Sequence, residues 1–152
     1  MRSVSAVVIV GDQNGSAGVG MGRGIDTQLA VAKASAQAEK NMTPFPRLEN
    51  RTIFSDIDYK FHNVNLKLGM AKPGTRVNLG HGIVANNYIH EICRCIGISD
   101  MTGKVYGSNN PMNVIKGTFA ALASQKRPDE IALARGKKVM DVERTYYGTR
   151  LS

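Results

Sequence analysis

A chain of 152 residues with 42% hydrophobic and 21% charged side chains has the make-up of a folded protein, not of a disordered tail, and suffices for one domain or two small ones. Twenty Lys and Arg against twelve Asp and Glu leave a formal charge of +8, which favours a polyanionic partner such as nucleic acid or an anionic surface. No apolar run approaches the roughly 18 residues that cross a bilayer, and Cys93 and Cys95 lie too close together for a disulfide framework, which points to a reducing compartment.

Apolar alternation begins by Val4, so the chain opens almost inside a strand: either it is processed or truncated there, or its first strand is supplied by residues outside this sequence. The run Ala6-Val7-Val8-Ile9-Val10 is followed by six glycines in the fourteen residues from Gly11 to Gly24. Asp12-Gln13-Asn14-Gly15 tolerates positive φ and predicts a turn back into a second strand. In that strand Gly18, Gly20, Gly22 and Gly24 alternate with other residues, leaving one face without side chains. Such a face suits the close approach of another backbone, either a helix of the same domain or, with Arg23 beside it, a phosphodiester. The spacing is neither that of a dinucleotide-binding turn nor that of a Walker loop.

Asp26 predicts an N-cap and Thr27 to about Met42 a helix, ended by Pro44 and Pro46. Residues 1–43 are therefore read as a first domain, 44–50 as a linker, 51–125 as a second domain and 126–152 as a basic tail. The second domain opens with strands over Thr52–Phe61 and Asn63–Met70. A loop with Lys72 and Arg76 follows, then a helix from about Val84 to Ile96 ended by Gly97, and a strand over Thr102–Tyr106. In Gly107-Ser108-Asn109-Asn110-Pro111-Met112-Asn113, Asn or Ser caps a helix with proline just inside, and apolar residues carry it to about Gln125. Pro128-Asp129-Glu130 starts a short helix in the tail.

No catalytic constellation assembles. His62, His81 and His90 are scattered, His90 near Cys93 lacks further metal ligands, and Asp56 and Asp58 on one strand face read as a solvated edge. The chain is read as non-enzymatic, without metal or cofactor. What accumulates is RNA-compatible surface. Arg23, Lys67, Lys72, Arg76, Lys104, Lys116, Lys126, Arg127, Arg135, Lys137 and Lys138 coincide with Gly- and Asn-rich loops whose amides approach phosphate closely. Asn14, Gly20, Gly22, Ser108, Asn109, Asn110 and Asn113 join them as candidate RNA-binding residues. Asn109 and Asn110 either present a helix start to phosphate or only cap the helix. Aromatic residues do not interleave with basic ones along the sequence, which favours reading of RNA shape and backbone over base stacking.

Taken together, the segments resemble the family of the universal small-subunit ribosomal protein five (ribosomal protein S five) over nearly the whole chain. The marks are Ser5 to Gly15 followed by Gly18, Gly20, Gly22 and Arg23; Gly107-Ser108-Asn109-Asn110-Pro111-Met112-Asn113-Val114; and Pro128-Asp129-Glu130 with Ala134-Arg135-Gly136-Lys137. The resemblance implies an α+β fold, with an N-terminal domain similar to a double-stranded-RNA-binding fold and a C-terminal domain with a left-handed βαβ crossover. It also implies binding to small-subunit rRNA near the messenger RNA entrance, contact with ribosomal neighbours resembling bacterial four and eight, and influence on subunit assembly and decoding accuracy.

The family's usual first strand and basic hairpin before Val4 are nearly all missing from this sequence, so the first domain is expected to lack that strand. Thr52-Ile53-Phe54, Tyr59-Lys60-Phe61-His62, Glu91-Ile92-Cys93 and Gly103-Lys104-Val105-Tyr106 look more like mitochondrial members, especially fungal ones. The resemblance therefore implies a ribosome-bound protein of the mitochondrial matrix. A double-stranded-RNA-binding module acting outside the ribosome is the rival reading, and a nucleotide-binding enzyme a distant third.

Overall fold

The structure is a computed structural model that describes residues 3–70, 82–140 and 142–146; the loop carrying Lys72 and Arg76 lies outside the described residues. Strands β1 (Val4–Gly11) and β2 (Ser16–Gly24) form an antiparallel hairpin in which Val8 faces Gly20 and Ala6 faces Gly22. Residues paired across strands share a face, so Val4, Ala6, Val8 and Val10 extend the bare glycine surface. Helix α1 (Thr27–Lys40) lies on that surface, burying Ala30, Ala34 and Ala38, which the four-residue spacing places in one stripe. It begins where Asp26 predicts, though the Asp26 side chain makes no capping bond, and it stops two residues before Met42. Strand β3 (Thr43–Pro44) pairs with Ser16 and Ala17 to complete a three-stranded sheet of order β1-β2-β3.

The second sheet has the order β4-β5-β7-β6. Its strands are β4 (Ile57–Phe61), β5 (Val64–Met70), β6 (Ile83–Val84) and β7 (Met101–Gly107). All neighbours are antiparallel except β6 and β7, which run parallel and are joined through helix α2 (Asn87–Ile96), a βαβ unit. Helix α3 (Pro111–Ala123) follows, then α4 (Pro128–Ala134) and α5 (Val142–Tyr146). Val64, Leu66, Leu68 and Met101 on the inner sheet face share a core with Ile89, Ile92 and Ile96 of α2 and Val114 and Leu122 of α3. Gly97 ends α2 in the left-handed conformation (φ 89°), as its position predicts.

Two element starts differ from the sequence reading by three residues or more. The strand expected from Thr52 starts only at Ile57, because Leu48 and Thr52 close a small turn on each other through main-chain bonds of 2.8 and 3.1 Å and Ile53 is buried. The helix expected from Val84 starts at Asn87, since Ile83 and Val84 are taken up by the sheet.

Segment 44–50 is packed, not a free linker. Its first residue belongs to β3, and Phe45 is buried with its ring edge-on to Phe119 at 5.7 Å. The tip of the β1–β2 hairpin meets the end of α2: the N–H groups of Gln13 and Gly15 donate to the carbonyls of Cys95 and Ile96 at 2.9 and 2.8 Å. Those carbonyls belong to the last turn of α2, which has no partners within its own helix. Arg47 Nη1 donates to the Gly97 carbonyl at 3.0 Å. Below this seam Arg51 and Asp100 form a buried ion pair at 3.6 Å, and the other Asp100 oxygen accepts the Gly82 N–H at 3.0 Å. Ala17 and Phe45 consequently share one core with the second sheet.

Candidate nucleic-acid interface

The glycine surface is closed to a ligand. Gly20 and Gly22 are buried, and a Cβ at either would meet the main-chain carbonyls of Ala34 or Ala30 in α1. Of the two backbones the sequence allowed there, the helix fills the space, so the expectation that these glycines contact RNA is corrected. Arg23 projects from the opposite face and is exposed; its guanidinium donates to Ser3 Oγ at 2.9 and 2.7 Å.

Asn14 sits at the hairpin tip. Its N–H donates to Asp12 Oδ1 at 2.8 Å, and its carboxamide oxygen accepts from Arg47 Nη2 at 3.5 Å. Asp12 also accepts from the Ser16 N–H at 2.9 Å, and these two main-chain donors, that of Ser16 foremost, hold its carboxyl below the usual value. Asn14 thus closes a turn against the seam, far along the hairpin from Arg23.

The second sheet has one dry face and one open face. The register places Asp58, Lys67 and Lys104 in one row across β4, β5 and β7, and Lys60, Asn65 and Tyr106 in the next. All six are exposed on the face turned away from α2 and α3. Lys67 and Lys104 stand directly opposite each other, and Lys67 Nζ lies 5.9 Å from the centre of the Tyr106 ring. Like charges directly opposed cost stability. Neither lysine forms an ion pair with another described residue, Asp58 included.

Beyond β7 the chain turns at Gly107 (φ 84°), where the Ser108 N–H donates to the Asn63 carbonyl at 2.9 Å. This ties the segment to the tip of the β4–β5 hairpin. Asn110 caps α3, its Oδ1 accepting the Met112 N–H at 3.1 Å with Pro111 at the first helical position. Ser108 Oγ accepts from the Asn110 N–H at 3.4 Å, and Asn109 Oδ1 accepts from Asn86 Nδ2 at 3.1 Å, joining the starts of α3 and α2. Asn110 thus makes the capping bond that one of the two sequence readings expects. Asn113 is half-buried in the first turn of α3, and Lys116 is exposed one turn on.

Arg135, Lys137 and Lys138 are exposed in the tail. The Gly136 and Lys137 N–H groups donate back to Leu133 and Ala132 at 3.1 and 2.9 Å, a left-handed helix end that fixes where this basic run leaves α4. Arg135 and Lys137 line a groove of about 670 Å³ together with Asp56 and Asp58, so the tail's cations share it with two acids. The candidates therefore occupy separate places: Arg23 at one end of the first sheet, Asn14 in the seam, Lys67 and Lys104 with the loop before α3, and the tail. Lys60 and Tyr106 escaped the sequence reading. The signal that finds them is the two-residue turn at His62-Asn63, which sets the register and with it the face.

No three His, Cys, Asp or Glu residues group as metal ligands among the described residues. Burial pushes the Cys93 thiol up to about 12, and it raises Cys95 as well. No helix among the described residues is long and apolar enough to cross a membrane.

Residues 1–46 match the description "Ribosomal protein S5, N-terminal domain", and residues 59–135 match "Ribosomal protein S5, C-terminal domain". The chain is 43% identical over 147 residues to the small ribosomal subunit protein uS5m of Schizosaccharomyces pombe, covering 97% of this chain and 36% of that one. It is 40% identical over 148 residues to the protein of the same name from Neurospora crassa, covering 97% of this chain and 30% of that one. The small ribosomal subunit protein uS5 of Magnetococcus marinus is 39% identical over 138 residues, with 91% and 75% covered. The chain thus spans about a third of the length of the two fungal relatives.

Proposed function

We propose that this chain, which belongs to the ribosomal protein S5 family, is a structural, non-enzymatic constituent of the small subunit of the mitochondrial ribosome and binds small-subunit rRNA. The observation that carries the reading is the pair Lys67 and Lys104, opposed and without ion-pair partners among the described residues on an open sheet face. A phosphodiester backbone relieves that repulsion, and release of its counterions drives the association. Lys116, Ser108, Asn109 and Asn113 extend the contact from the sheet toward α3, while Arg23 and the basic run Arg135, Lys137 and Lys138 make separate ones. Lys72 and Arg76 complete the set from outside the described residues.

The mitochondrial setting is supported by the names of the two fungal relatives. Family likeness supports the finer placement near the messenger entrance, beside neighbours resembling bacterial four and eight, with a part in assembly and decoding accuracy. Likeness of the first sheet and α1 to a double-stranded-RNA-binding fold, and a left-handed β6–α2–β7 crossover, belong to the same reading.

Crosslinking in intact cells tests it. RNA recovered on peptides containing Lys67, Lys104 or Lys116 is expected to be small-subunit rRNA of the organelle. Recovery dominated by other duplex RNA would instead establish the extra-ribosomal module.

A further inference from the structure

The open face of the second sheet joins an aromatic ring to cations in a way the linear sequence hides. Tyr106 is 48% exposed at the β7 end of its row, with Asn65 opposite it, Lys60 beyond Asn65 and the Lys67 ammonium over its ring. A large ring left half in water on a sheet, flanked by Lys60, Lys67 and Lys104 against the single acid Asp58, matches a stacked base with its phosphates. We infer, on the basis of the rRNA-binding reading above, that this face takes an unpaired nucleotide of RNA. Its base stacks on Tyr106, and Lys67 and Lys104, paired in the neighbouring row, hold its phosphates.

A protein partner fits this surface poorly. Lysine is depleted where proteins bury surface against one another, because each ammonium must be desolvated and paired. Here Lys67 and Lys104 stand side by side with no acid bound to either among the described residues. An RNA strand brings one anion per nucleotide to such a row and a π-face to the ring in the row beside it. The Lys67 ammonium, 5.9 Å from the ring centre, also attracts the ring through a cation–π contact.

The test compares two ligands of equal charge, an oligoadenylate dodecamer and the abasic ribose-phosphate oligomer of the same length, titrated into the full chain at several salt concentrations. Tyr106→Ala is expected to weaken oligoadenylate binding about tenfold, within the range measured for loss of a stacking side chain, and to leave abasic binding unchanged. Tyr106→Phe keeps wild-type affinity. Lys67→Gln and Lys104→Gln weaken both ligands and lower the salt slope by about 0.7 each. Because Tyr106 is half-exposed, circular dichroism should show the variants folded. Equal binding of oligoadenylate by Tyr106→Ala and the wild type overturns the inference. So does an unchanged RNA affinity combined with loss of a subunit protein from the purified particle, which would assign the face to a protein. In either case crosslinking of the chain to small-subunit rRNA would still stand, so failure of this inference is distinguishable from failure of the proposed function.

Discussion

Gly20 on β2 lies against the main-chain carbonyl of Ala34 on α1, with no room between strand and helix for a side chain. Gly18 and Gly22 stand in the same relation to Ala38 and Ala30. Backbone-to-backbone packing of this kind has no flexible group that gives way. Gly20→Ala is expected to lower stability by about 2 kcal/mol, at the scale of overpacking in a well-filled interior, and Gly20→Val by more. Gly136→Ala serves as the contrast, because nothing lies within 4 Å of the added methyl and only its φ of 63° opposes it. Its cost should stay near 1 kcal/mol. Chemical denaturation of the three variants checks the order.

At the start of α3, Asn110 accepts the Met112 N–H at 3.1 Å. Asn110→Ala should lose about 1 kcal/mol of stability, visible as a lower Tm, while RNA affinity of the folded fraction stays at the wild-type value. Lys116→Gln should do the reverse, with unchanged Tm and weaker, less salt-sensitive binding.

The buried pair Arg51 and Asp100 ties segment 47–52 to the turn before β7, with 7% and 6% of the two side chains exposed. Asp100→Ala removes the buried carboxylate beside the Arg51 guanidinium, whose other carboxylate neighbour, Glu49 at 3.9 Å, is largely exposed, and should cost about 3 kcal/mol or more. The double variant Arg51→Met, Asp100→Leu removes both charges and should lose less than Asp100→Ala alone. Urea unfolding of both variants measures the difference.

Asp12 gives the hairpin tip a pH dependence. Its carboxyl is lowered in the folded protein from an ordinary 3.8 by the N–H donors of Ser16 and Asn14. The stabilisation is therefore fully present above that ordinary value and is lost as the pH falls through the lower folded value. Acid unfolding of Asp12→Ala should show a shallower pH dependence than the wild type in that window, with no difference between the two slopes at neutral pH.

Much of this was legible in the sequence, and for identifiable reasons. Period-two glycines announced the bare face, and the stripe Ala30, Ala34, Ala38 matches it. Asn110-Pro111 and Gly97 marked helix ends through local chemistry alone. The missed features depend on tertiary pairing. Thr52 and Ile53 have strand-like side chains, yet a turn closing on Leu48 claims them. Pro44 to Asn50 looks like a linker by composition, while Phe45 and Arg47 anchor it across a seam that only the fold creates. Tyr106 joins Lys67 across β5 and β7, 39 positions along the chain, so no window of sequence sets them together.

Sedimentation of the native protein bears most directly on its membership of the small subunit. Mitochondria are lysed at moderate salt and the lysate is run through a sucrose gradient, with the protein followed by antibody and the subunits by their rRNA. The account predicts that the protein travels with the small-subunit rRNA and leaves it only as salt is raised. A protein found wholly in the light fractions at moderate salt, while other small-subunit proteins remain with the rRNA, would contradict it.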